Sequence, residues 1–106
     1  MKKKDRILQK IIMIVQKLSP VSELYLFGSR AVGKPTKNSD WDLLLLLNLN
    51  EISIELEKIF MDCFYDLEIE TGEVIAPLIY SKDIWYSKYS KTPLFDSIQE
   101  NSIKLL

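Results

Sequence analysis

Histidine is absent from this 106-residue chain, and cysteine occurs once, at Cys63. The first absence removes imidazole as base, nucleophile and metal ligand, and with it the Ser-His and Cys-His triads. The second excludes an intramolecular disulfide and a cysteine metal cluster. Metal chemistry must then rest on oxygen ligands, which favours Mg²⁺ or Mn²⁺ over Zn²⁺. Long apolar runs are also missing. The longest, Ile11 to Val15 and Leu43 to Leu47, fall far short of the roughly 18 residues that cross a bilayer. The basic start, Lys2-Lys3-Lys4-Asp5-Arg6, leads into apolar residues interrupted by Gln9, Lys10, Gln16 and Lys17. A signal peptide needs an unbroken apolar stretch and a small-residue cleavage site, so the reading is a cytoplasmic protein without membrane association. Finally, no charge sign dominates: 14 Lys and Arg stand against 15 Asp and Glu. That balance argues against a bulk electrostatic role and against nucleic-acid binding, including through the Lys2 to Arg6 cluster. With 47% apolar and 27% charged residues, the composition is that of one ordinary globular domain spanning residues 1–106.

The hydrophobic pattern predicts the elements. Ile7, Leu8, Ile11, Ile12, Val15 and Leu18 recur at steps of three and four, one face of a helix, which Ser19-Pro20 ends. Glu23 to Phe27 reads as a short strand. The polar segment Ala31 to Ser39 reads as a surface loop. Trp41 to Leu47 is a second strand; its unbroken Leu43–Leu47 run suits a strand covered on both faces. Asn50 is a candidate cap for a helix over 51–71. The expected apolar stripe of that helix is Leu56, Ile59, Phe60, Cys63, Phe64 and Leu67, with Cys63 a small buried hydrophobe. Gly72 is a plausible left-handed stop. Val74 to Tyr80 is a third strand, placed at an edge or bulged because Pro77 cannot donate to a ladder. A short helical segment carries Trp85, and Pro93 opens a last helix with Leu94, Phe95, Ile98 and Leu105 on its apolar face. Trp85 and Tyr86, near Tyr80 and Tyr89, read as core or interface aromatics rather than a base-stacking patch.

The chemistry-bearing stretch is Leu26-Phe27-Gly28-Ser29-Arg30, then, ten residues on from Arg30, Asp40-Trp41-Asp42. Residues two apart in a strand share a face, so Asp40 and Asp42 stand side by side with Trp41 turned away. Such carboxylates repel each other unless a cation lies between them or one holds a proton. Solvated acids at a strand start are the plain alternative. Gly28, after a strand, permits close backbone approach to a phosphate. Ser29 offers a hydroxyl and an N–H, and Arg30 a fork of donors suited to phosphate. The plain alternative here is a strand-ending turn with Arg30 paired to an acid. If the two strands are neighbours, phosphates and metal meet in one place.

Gly28-Ser29 and Asp40-x-Asp42 at this spacing resemble the signature of the polymerase-beta-like nucleotidyltransferase superfamily. Phe27-Gly28-Ser29-Arg30-Ala31-x-Gly33 and the small size look most like the minimal nucleotidyltransferase family. The resemblance implies an α+β nucleotidyltransferase fold, with a small mixed sheet of three or more strands flanked by helices. It implies ATP or another NTP held at Gly28, Ser29 and Arg30. Asp40 and Asp42 would be the catalytic pair holding one or two Mg²⁺ (or Mn²⁺) ions, while an acceptor hydroxyl attacks the α-phosphate. It further implies AMP transfer to a protein hydroxyl, as by the antitoxin of a toxin–antitoxin pair acting on a small helical HEPN-type partner. A homo-oligomer is left open.

One departure stands out. Active members of that superfamily usually carry a third acid on a later strand, and Val74 to Ile79 holds none. Glu73 sits at the edge of that strand and reads as a solvated strand-entry residue, with a third metal ligand as the alternative; Glu68 and Glu70 read as an exposed helix end. The alternative function is therefore a catalytically reduced nucleotide-binding module acting on its partner by contact. Lys34 and Lys37 read as solvated loop residues.

Overall fold

The computed structural model describes residues 3–33 and 39–106. Along the chain run α1 (Lys3–Leu18), β1 (Glu23–Phe27), β2 (Trp41–Leu47), α2 (Ile54–Thr71), β3 (Ile75–Ser81), α3 (Lys82–Lys88), α4 (Pro93–Asn101) and β4 (Ile103–Lys104). The strands form one mixed sheet in the order β3-β2-β1-β4. β1 is antiparallel to β2 and β4, and β2 is parallel to β3. This is the α+β arrangement expected from the sequence.

Strand alternation divides the interior into two cores. Trp41, Leu43, Leu45 and Leu47 face α1 and α2, packing with Ile7, Ile11, Val15, Phe60, Phe64 and Leu67. Leu44 and Leu46 face the other way, onto Trp85 and Ile98 of α3 and α4. The unbroken leucine run of β2 thus serves both faces. Trp85 is fully buried and packs against Tyr80 and Tyr89, with ring centroids 5.5 and 5.9 Å away. Trp85 is core and Tyr80 and Tyr89 pack against it, whereas Tyr86 is exposed.

Helix ends follow their caps. The Ser53 hydroxyl accepts from the Leu56 N–H at 3.1 Å, so α2 begins at Ile54 rather than Glu51, and the cap is Ser53 rather than Asn50. Gly72 ends it in the left-handed conformation at φ 73°. Pro93 opens α4 under a Thr92 cap. Pro77 lies in β3, at the sheet edge, where its missing N–H costs no ladder bond.

Other expectations need correction as well. Ile59 is exposed, because the packed face of α2 follows Phe60, Phe64 and Leu67. Cys63 is only half-buried, at the seam between α1 and α2. Glu68 does not project freely from the helix end: its carboxylate accepts from the Ile75 N–H at 3.1 Å and fixes the start of β3. The last helix stops at Asn101, and residues 103–104 pair with β1 at Tyr25 and Leu26. Among the described residues, no helix is long and apolar enough to cross a membrane.

Candidate active site

The antiparallel register of β1 and β2 sets Phe27 opposite Asp42. The end of β1 and the start of β2 therefore meet at one end of the sheet, and the two halves of the sequence signature become neighbours. Gly28 follows β1 at φ +75°, a conformation that L side chains rarely adopt. A Cβ on Gly28 would fall 2.2 Å from Asp42 Oδ2 and 3.1 Å from its Cγ. No side chain fits at position 28 without displacing that carboxylate. The chain then turns, with the Ala31 and Val32 N–H groups donating to the Gly28 carbonyl at 3.1 and 3.3 Å.

Asp42 is half-buried and Asp40 is exposed. Burial pushes the Asp42 carboxyl above the usual carboxylate range, and the Asp40 charge adds to that. Two carboxylates that feel each other at the end of a strand, one of them partly desolvated, form a hard oxygen donor set. That set suits Mg²⁺ or Mn²⁺, and a bound cation would relieve both causes of the raised pKa. Among the described residues, no group of three His, Cys, Asp or Glu side chains is placed to share a metal. The reason lies in β3. Ala76 is the residue in register with Asp42 across the parallel pair, so a methyl group occupies the neighbouring position on that face.

Glu73 is not solvated. Its side chain is only 16% exposed, with a carboxylate oxygen 3.7 Å from Arg30 Nη2. The Arg30 side chain is 10% exposed. Arg30 donates from Nε and Nη2 to the Ser39 carbonyl at 3.0 and 2.8 Å, and its guanidinium lies 4.1 Å from the Trp41 ring centroid. Sequence reasoning did not pair Arg30 with Glu73; they lie more than forty residues apart, and no local pattern marks the contact. Lys34 and Lys37 lie outside the described residues.

The profile of the family described as "Polymerase beta, Nucleotidyltransferase" matches residues 9–104. The chain belongs to that family. The nucleotidyltransferase fold is shared with several solved structures. One, a toxin–antitoxin with AMP-PNP, superposes with a TM-score of 0.67 at 20% identity, over 93% of this chain and 72% of that one. Another is the toxin–antitoxin MntA–HpeT with two aspartates changed to glutamate, at TM-score 0.66 and 17% identity over 93% and 72%. A tyrosine-to-alanine variant of the same pair gives 0.60 and 19% over 92% and 70%. No curated protein matches the chain. Within this family member, then, Gly28 lies against Asp42 at one end of the sheet, two residues on from Asp40, and Arg30 pairs with Glu73.

Proposed function

We propose that this domain is a metal-dependent nucleotidyltransferase that moves AMP from ATP to a hydroxyl of a protein partner, as the antitoxin of a toxin–antitoxin pair. The observation that carries the reading is the absence of room for a side chain between Gly28 and the Asp42 carboxylate. It brings a glycine turn suited to phosphate within reach of the two acids.

Gly28 and Ser29 would receive the β- and γ-phosphates, with the Ser29 hydroxyl donating to a phosphate oxygen. Asp40 and Asp42 would hold one or two Mg²⁺ or Mn²⁺ ions. Such an ion, when bound, polarises the α-phosphate and offsets charge on the leaving group. Asp40 is exposed and Asp42 is half-buried, so an acceptor arriving from solvent would meet Asp40 first. The acceptor hydroxyl would give up its proton to solvent as its oxygen bonds to the α-phosphorus, the bond from that phosphorus to the α–β bridging oxygen would break, and pyrophosphate would leave. The toxin–antitoxin setting of the similar solved structures supports a protein partner; a small helical partner of the HEPN type is what the resemblance of the motif implies.

A second reading has its own observation. Ala76 opposite Asp42 leaves β3 without a third carboxylate, which favours a nucleotide-binding module that acts on its partner by contact. Incubation of the purified pair with ATP labelled at the α- or the γ-phosphate separates the two. Nucleotidyl transfer labels the partner from the α position only, and Asp40→Asn with Asp42→Asn abolishes it. Tight binding of the partner with no α label supports the second reading.

A further inference from the structure

We propose that Arg30 and Glu73 are positioning residues that lock the Asp40-x-Asp42 segment from the rear of the sheet, and that Arg30 is not a phosphate ligand. The inference rests on the carboxylate site proposed above.

The argument begins with strand alternation. Asp40 and Asp42 lie on one side of the strand, and Trp41 points to the other, into the core under α1 and α2. The Arg30 guanidinium stacks on that Trp41 ring at 4.1 Å. It therefore sits behind the carboxylates, not beside them. Two of its nitrogens converge on one acceptor, the Ser39 carbonyl, at 3.0 and 2.8 Å. Ser39 immediately precedes Asp40, so the fork fixes the backbone from which Asp40 projects. It also joins the two ends of the segment running from the Gly28 turn to β2.

Glu73 extends the lock to the third strand. Its carboxylate lies 3.7 Å from Arg30 Nη2, with both side chains largely shielded. The adjacent backbone is tied in as well, since the Trp41 N–H donates to the Val74 carbonyl at 2.9 Å. Arg30 thus gathers the start of β2 and the approach to β3 around one indole ring. Arginine suits this task because a planar fork can bond and stack at once. Lysine cannot do both. The Glu73 carboxylate, two residues before β3 along the chain, is thus turned toward Arg30. Residues that orient metal ligands without touching the metal commonly change metal affinity by about 10- to 100-fold when removed.

The test uses Mn²⁺ alone, titrated by electron paramagnetic resonance into the full chain and into Arg30→Met, Arg30→Lys, Glu73→Gln and, as a control at an exposed position on α4, Glu100→Gln, well below each melting temperature. Amide hydrogen exchange at residues 40–42 is followed in parallel. Arg30→Met is expected to weaken Mn²⁺ binding about 10-fold or more and to accelerate exchange at 40–42. Arg30→Lys should restore little of either, Glu73→Gln should produce a smaller loss of the same kind, and Glu100→Gln should leave both unchanged. A role in phosphate binding predicts the reverse: Mn²⁺ affinity and exchange as in the wild type, with only triphosphate binding reduced. That result overturns the proposal, as does a lowered melting temperature with Mn²⁺ binding intact. If the wild type binds no Mn²⁺ while exchange still quickens in Arg30→Met, the metal site is wrong and the lock on the strand stands. If exchange is unchanged, the lock itself is refuted.

Discussion

Gly28→Ala isolates the contact on which the site depends. The substitution adds one methyl group at a residue held at φ +75°. An L side chain in the left-handed region costs about 1–2 kcal/mol. Gly72 provides the matched control, because it holds φ +73° and an added Cβ there meets nothing within 4 Å. Both variants should therefore lose about 1–2 kcal/mol of stability from strain. For a domain of this size, that corresponds to a fall in melting temperature of roughly 4–12 °C. Only Gly28→Ala also drives a carbon to 2.2 Å from Asp42 Oδ2. A normal contact requires more than 3 Å, so the carboxylate must move by about 1 Å, and binding tuned to its position fails with it. Differential scanning fluorimetry gives the stability of each variant. Isothermal titration with Mn²⁺ and ATP, at a temperature where both are folded, gives the site. The expected outcome is a comparable loss of stability in the two variants, with binding lost at least 10-fold in Gly28→Ala alone. Equal binding by Gly28→Ala and Gly72→Ala would refute the reasoning.

Ser29→Ala should weaken ATP by about 1.5–3 kcal/mol, the range for a hydrogen bond to a charged group, and leave adenosine unaffected; equal losses for the two would point away from phosphate recognition. Ala76→Asp places a carboxylate in register with Asp42 and should raise nucleotidyl transfer by on the order of 10²-fold, the lower range for an added general base. An unchanged rate in a folded Ala76→Asp variant would show that β3 does not face the reacting atoms. Glu23 supplies a pH test remote from the site. Its burial raises its pKa, but hydrogen bonds from Lys82 and Tyr25 outweigh that and leave it below its ordinary value of 4.5. A depressed acid contributes stability that is present above its unfolded pKa and lost as pH falls through the folded one. Glu23→Gln should lower the melting temperature at pH 7 and flatten the decline below pH 4.5; a parallel acid limb would contradict the pairing.

Most of the framework was legible in the sequence because its signals are local. The Glu23–Phe27 and Trp41–Leu47 strands are marked by apolar runs bounded by polar turns, and both appear with those limits. Gly72, Pro77 and Pro93 act through backbone chemistry that no distant contact overrides. The α2 start was misplaced because Asn50 and Ser53 are both good caps, and only the fold decides which hydroxyl or amide meets a free N–H. β4 was invisible for a different reason. Two residues have no period, and Ile103-Lys104 becomes a strand only because β1 offers it an unpaired side. At the site, Gly28 and the aspartates could be named from type and spacing. That Gly28 touches Asp42 depends on the register of β1 with β2. The roles of Arg30 and Glu73 depend on a third strand folding back beside both, which spacing along the chain does not encode.

The two outer strands of the sheet also bear on how the molecule behaves in company. A sheet ends in backbone groups that can recruit another extended chain, and proteins blunt this with prolines, charges or brevity. Here the β3 side carries Pro77, which has no N–H to offer, and the β4 side is two residues long and ends in an exposed lysine, Lys104. Pro77 interrupts the row of donors on β3, and the short β4 carries a charge, so both borders hold features that disfavour strand addition. Assembly with other chains is then expected to favour side-chain surfaces over growth of the sheet.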